Sequence, residues 1–127
     1  KTITRLHELI TLQSHMEAEF GSDNYNIFVF GSYITNQYEN DRSDIDIAIY
    51  TPDFRLYKRL SCYLEEYFNQ KQQKNDIFYI DTSTVAPVYL AALNSKIQFT
   101  DYYPEELTDF CAKCGEKLKE EKRRLVG

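Results

Sequence analysis

Two short runs of strand-forming residues, Asn26-Ile27-Phe28-Val29-Phe30 and Ile47-Ala48-Ile49-Tyr50, flank a polar segment that opens with Gly31-Ser32 and closes with Asp44-Ile45-Asp46. Few arrangements satisfy this pattern. A strand must run into a Gly-Ser turn, and the chain must return in a second strand whose first residues carry two acids. Strand side chains alternate between faces, so Asp44 and Asp46, one residue apart, point the same way. Two like charges held side by side repel, and a divalent cation is the usual remedy. Glycine lets a backbone come close to a ligand, and Ser32 adds a hydroxyl and an N–H suited to a phosphate. An acidic hairpin without a metal is the competing reading, since acidic surface loops often produce a lone D-x-D.

The whole constellation, Gly-Ser followed by Asp-x-Asp at the head of the next strand, resembles the polymerase-β-like nucleotidyltransferase superfamily, and most closely its minimal nucleotidyltransferases. The resemblance covers about residues 24–103 and implies an α/β (α+β) fold: a small mixed sheet with helices packed mainly on one side and the site at one end. It implies two magnesium ions, with manganese able to substitute, and ATP or another nucleoside triphosphate as substrate. Asp44 and Asp46 would bridge both metals, Gly31 and Ser32 would hold the triphosphate tail, and Ser43 and Arg42 in the same loop are expected to join them in binding the cofactor. A third carboxylate is expected on a later strand. Asp76 opens the run Asp76-Ile77-Phe78-Tyr79-Ile80-Asp81 and fits best, with Asp81 as the alternative; five residues apart, the two face opposite sides of a regular strand. Many small members carry a small-Arg-Gly element just after Gly-Ser. This chain has Ile34-Thr35-Asn36, where asparagine tolerates the left-handed backbone glycine would supply, and Arg42 is the basic residue left in the loop.

By the same resemblance, some members pair with a helical HEPN-type protein and adenylylate a tyrosine on it as antitoxins. An enzyme of that kind is one expectation, and a catalytically weak or inactive module that clasps a partner through the same fold is the other. A homo-oligomer is compatible with either.

The remaining chain supports one compact unit, residues 1–127, with 104–127 as a C-terminal helix. Residues 3–20 read as an amphipathic helix with Ile3, Leu6, Ile10 and Met16 near one face, and His7 and His15 read as ordinary helix histidines rather than ligands. Thr51 and Pro52 signal the start of a helix running to about Asn69, with Leu56, Leu60, Leu64 and Tyr67 on its apolar face. Ser83-Thr84 starts a helix over Val85 to Leu93, Ile97 to Thr100 is a short edge strand, and the last helix follows Pro104. Its stripe of Leu107, Phe110, Cys111, Cys114, Leu118 and Leu125 makes the C-x-x-C spacing a packing feature, because zinc would want four ligands. Cys62 reads as a filler residue or a half-exposed thiol.

A net charge of −5 argues against a dedicated nucleic-acid binder, whose footprint is basic, but not against a nucleotide enzyme working through a metal. No apolar run approaches the ~20 residues a bilayer needs. The amino terminus has charges in place of a signal peptide's apolar centre, and three cysteines form no disulfide framework, so the expected compartment is the cytoplasm.

Overall fold

The computed structural model describes residues 2–39 and 42–126. In chain order it contains α1 (Thr2–Phe20), β1 (Asn26–Phe30), a 3-10 turn (Gly31–Ile34), β2 (Ile45–Tyr50), α2 (Phe54–Gln70) and β3 (Asn75–Tyr79). A second 3-10 turn (Pro87–Tyr89) leads into the one-turn α3 (Leu90–Leu93), followed by β4 (Ile97–Gln98) and α4 (Glu105–Val126). The strands form one mixed sheet in the order β3-β2-β1-β4. β1 runs antiparallel to β2 and β4, while β2 and β3 are parallel, joined across the sheet by α2.

The central strands are apolar on both faces, and both faces are covered. Ile27 and Val29 of β1 and Ile45, Ile47 and Ile49 of β2 pack under Leu9, Leu12 and Met16 of α1 and Leu60, Leu64 and Phe68 of α2. Each of these fully buried aliphatic side chains contributes about 1.5–3 kcal/mol. Helices are expected mainly on one side; α1 and α2 cover this one, but the other is covered too, because the central strands are apolar on both faces. The opposite face, with Phe28, Ala48 and Tyr50, lies under Leu93 of α3 and Leu107, Phe110 and Cys114 of α4. Period-two alternation assigns Asp46 to this second face, along with Ala48 and Tyr50.

Several local expectations are corrected. The buried stripe of α1 is Leu9, Leu12 and Met16, whereas Ile3 and Ile10 are 70% and 58% exposed. The helix must lie over both β1 and β2, and that contact selects a stripe rotated away from Ile3 and Ile10. His7 and His15 are exposed. Asp53, not Thr51, caps α2: its carboxylate accepts from Arg55 N at 3.0 Å. Thr51 is buried, and its hydroxyl donates to Asn24 O at 2.7 Å, tying the end of β2 to the loop before β1. No helix forms over 83–86. Asp81 draws Ser83 into a turn, and Ala86, preceding Pro87, is held extended (φ −151°, ψ 137°), so helical geometry begins only at Pro87. In α4, Leu107, Phe110 and Cys114 are buried and Cys111 is half-buried, but Leu125 is 88% exposed because the helix has run past the sheet by then. Cys62 is exposed. Among the described residues no helix is long and apolar enough to cross a membrane.

Candidate active site

The sheet brings three acids to one end of its α4 face. In the antiparallel pairing of β1 with β2, Phe30 stands opposite Asp46. In the parallel pairing of β2 with β3, Asp46 stands opposite Asp76. Asp44, two residues ahead of Asp46 and on the same side by alternation, is exposed just before β2 begins. On the same face, Phe30 beside Asp46 and Phe78 two residues beyond Asp76 meet edge to face with centroids 5.9 Å apart. Asp46 is the most enclosed of the three. Burial, then the charges of Asp76 and Asp44, push its carboxyl above the usual range.

Gly31 is required at the turn for two reasons. Its φ is +79°, in the left-handed region, and a Cβ built there would lie 2.2 Å from Asp46 Oδ2. The carboxylate thus rests against the bare Cα of the Gly-Ser turn. Ser32 follows, half-buried, and among the described residues no side chain or backbone group takes its hydroxyl. Ser43 is placed differently. Its Oγ accepts from Glu39 N at 3.0 Å and its N–H donates to Glu39 O at 2.8 Å, so it closes the loop on itself. Arg42 is exposed, with its backbone N–H also on Glu39 O at 3.1 Å. Asn36 does not adopt a positive φ; among the described residues other than glycine, Asn24 and Gln72 do.

Asp81 lies beyond the end of β3, at the far end of the sheet from Asp46. Its separation from the acid cluster comes from strand length, about 3.3 Å for each residue, more than from the face it would occupy. Its Oδ1 accepts from Ser83 N at 3.0 Å and Ser83 Oγ at 2.7 Å.

The acids offer the hard oxygen ligands that magnesium prefers, and their mutual repulsion is what such an ion relieves. Asp44, Asp46 and Asp76 are neighbours rather than a closed cage: among the described residues no three His, Cys, Asp or Glu side chains converge as a preformed metal site. Magnesium needs only one or two carboxylates when phosphate oxygens complete its shell, so the donor set fits the ion.

The sequence matches the family of nucleotidyltransferase domains over residues 11–109. The chain belongs to that family. No curated protein sequence matches it. Among solved structures, a chain of the toxin–antitoxin pair MntA–HpeT, in a form carrying two aspartate-to-glutamate substitutions, has a similar fold. The TM-score is 0.52 at 17% identity, over 93% of this chain and 94% of that one.

One residue of this nucleotidyltransferase domain that sequence reasoning missed is Arg5. From α1 it reaches the loop after Gly31-Ser32, donating through Nε to Tyr33 O at 2.7 Å and through Nη2 to Thr35 O at 2.6 Å. Its guanidinium lies 4.6 Å from the ring centre of Tyr38 and 5.6 Å from that of Tyr33. No local signal marks it, because it is more than twenty positions from the loop it serves.

Proposed function

We propose that this domain is a magnesium-dependent nucleotidyltransferase that moves a nucleoside monophosphate, AMP from ATP, onto a hydroxyl acceptor. The acceptor is a tyrosine of a HEPN-type toxin, for which the domain acts as antitoxin. The observation that carries the reading is the register that sets Asp46 opposite Asp76 while the Cα of Gly31 lies under the Asp46 carboxylate. A fold that needed only stability would gain nothing from crowding acids against a glycine. The similarly folded MntA–HpeT chain comes from a toxin–antitoxin pair, and its two substituted aspartates are two positions apart, the spacing of Asp44 and Asp46. That likeness supports the antitoxin role.

Asp44 and Asp46 would hold the two magnesium ions, with Asp76 on the acceptor side. When bound, the ions neutralise charge on the attacking and leaving oxygens. The chain's own work is positioning. Gly31 admits the phosphates to the acid pair, Ser32 offers a donor to the triphosphate tail, and Arg42 adds a positive charge at the loop. Phe30 and Phe78 place apolar rings beside the carboxylates, where a less polar surrounding strengthens their field.

The test is transfer of label from ATP carrying a radioactive α-phosphate, with magnesium or manganese, to a HEPN-type protein, one encoded next to this chain being the first choice. Label on a tyrosine of that protein is the expected result. Stable complex formation with no label from any of the four nucleoside triphosphates would overturn the enzymatic reading in favour of a partner-binding module.

A further inference from the structure

The connection from β1 to β2 is long, and its first stretch, residues 31–39, contains no lysine or arginine. A loop meant to hold a triphosphate needs a fixed shape, and here the fastening comes from α1. Arg5 donates to two carbonyls of the loop, Tyr33 O and Thr35 O, and lies against the rings of Tyr33 and Tyr38, which meet edge to face 5.0 Å apart. Thr2, one turn earlier, donates to Asn36 Oδ1 at 2.8 Å and accepts from Arg5 Nη2 at 3.2 Å. The grip passes directly to Ser32. Thr35, whose carbonyl Arg5 holds, returns both its N–H and its hydroxyl to Ser32 O, each at 2.9 Å.

We infer that Arg5 is a positioning residue for the phosphate-binding turn, holding Ser32 in place through Thr35 without itself touching the substrate. The inference rests on the reading of Gly31-Ser32 as the triphosphate seat. The physical argument has two parts. Carbonyls at the end of a 3-10 turn lack partners within the turn, and a cation there satisfies them and favours the dipole. Peptide planes are rigid and trans, so pinning Tyr33 O and Thr35 O toward α1 directs the N–H groups of Ile34 and Asn36 the other way. Lysine cannot replace this arrangement, because a point donor does not offer the two fixed N–H groups that reach Tyr33 O and Thr35 O together.

Isothermal titration with magnesium-ATP tests the inference on the whole chain, alongside amide hydrogen exchange. Arg5→Ala should weaken magnesium-ATP binding about tenfold, a loss of roughly 1.4 kcal/mol, and speed exchange over residues 33–38 while the β1 and β2 amides stay protected. Arg5→Lys should recover little of either. Arg59→Ala removes a guanidinium 5.3 Å from the ring centre of Phe20, remote from the loop, and should bind as the unaltered protein does. If Arg5→Ala fails to fold, Arg5→Lys carries the comparison, with Tyr38→Leu as a milder version. Unchanged affinity in the Arg5 variants overturns the inference, and so does weakened affinity with faster exchange throughout the sheet, which marks general destabilisation. Failure of the unaltered protein to bind magnesium-ATP at millimolar concentration is a separate result: it removes the triphosphate seat itself, and this inference with it.

Discussion

One acid stands near the start of β3 and another just past its end, and the protein treats them in opposite ways. Asp81, past the strand's carboxyl end, accepts two hydrogen bonds from Ser83, and these hold its carboxyl below the usual range. Asp76, at the amino end, faces Asp46 across the parallel ladder, and its charge helps burial to raise the Asp46 carboxyl. One end of the strand is electrostatically finished by the protein. At the other, three acids lie near one another, and their mutual repulsion adds to burial in raising the Asp46 carboxyl. A carboxylate satisfied by its own turn is part of the architecture, whereas carboxylates that repel each other beside a bare glycine have the chemistry a bound cation would suit.

The sharpest way to break this contrast is substitution at both ends. Asp44→Asn, Asp46→Asn and Asp76→Asn should each lower AMP transfer about 10²–10³-fold, the scale of losing one electrostatic stabiliser of the transition state. Asp76→Asn should still bind ATP, because the role proposed for it is on the acceptor side. Asp81→Asn should transfer within about twofold of the unaltered rate, since an amide oxygen can still accept from Ser83. Label counted on the partner protein reads all four, and an essential Asp81 with a dispensable Asp76 would reverse the assignment.

A second, smaller effect separates the crowding from the backbone conformation. Gly21 and Gly31 both have positive φ, +76° and +79°, but a Cβ at Gly21 meets nothing within 4 Å, whereas at Gly31 it meets Asp46. Gly21→Ala should therefore cost about 1–2 kcal/mol from conformation alone. Gly31→Ala should cost at least about 1 kcal/mol more, because Asp46 must move as well. Urea denaturation of the two variants gives the difference directly.

The acid cluster also makes a prediction about the metal-free protein. A carboxyl whose folded pKa is raised contributes stability below its unfolded value and loses that contribution as pH rises through the folded one. The ionised Asp46 therefore opposes folding near neutrality. Asp46→Asn should raise Tm in chelator by about 1–3 °C at pH 7, solvent screening keeping the gain small, and the gain should shrink toward acid pH. Magnesium-ATP, which should raise the Tm of the unaltered protein by the equivalent of about 2.7 kcal/mol at a hundredfold excess over its Kd, should do little for the variant. Asp81 has the opposite sign and the smallest effect. Asp81→Ala should lower Tm slightly at neutral pH, and the difference should vanish as pH falls through the lowered Asp81 pKa. Paired melting curves across pH test both signs at once.

Much of this was legible in the sequence because it depends on near neighbours. The strand period places Asp44 and Asp46 on one side, and the Gly-Ser turn after an apolar strand marks where a backbone must turn tightly. Each long helix has an apolar stripe or a start signal within a few residues. Where the reading failed, a distant element had intervened. Ile3 and Ile10 match the helical period as well as Leu9 and Leu12 do, and only the placement of α1 on the sheet decides between them. Thr51 is a good capping residue by type, but Asn24 claims its hydroxyl and leaves the cap to Asp53.

The same division holds at the site. Residue type and spacing alone determined that two carboxylates share a face beside a glycine, because strand alternation is a property of the backbone. Tertiary structure decided which third acid joins them: the β2–β3 register aligns Asp46 with Asp76 and leaves Asp81 at the other end. It also decided that an arginine on α1 fastens the stretch 31–39, which has no lysine or arginine of its own. Local conformational preference reaches only a few residues along the chain, whereas register and helix docking follow from burying both faces of one sheet at once.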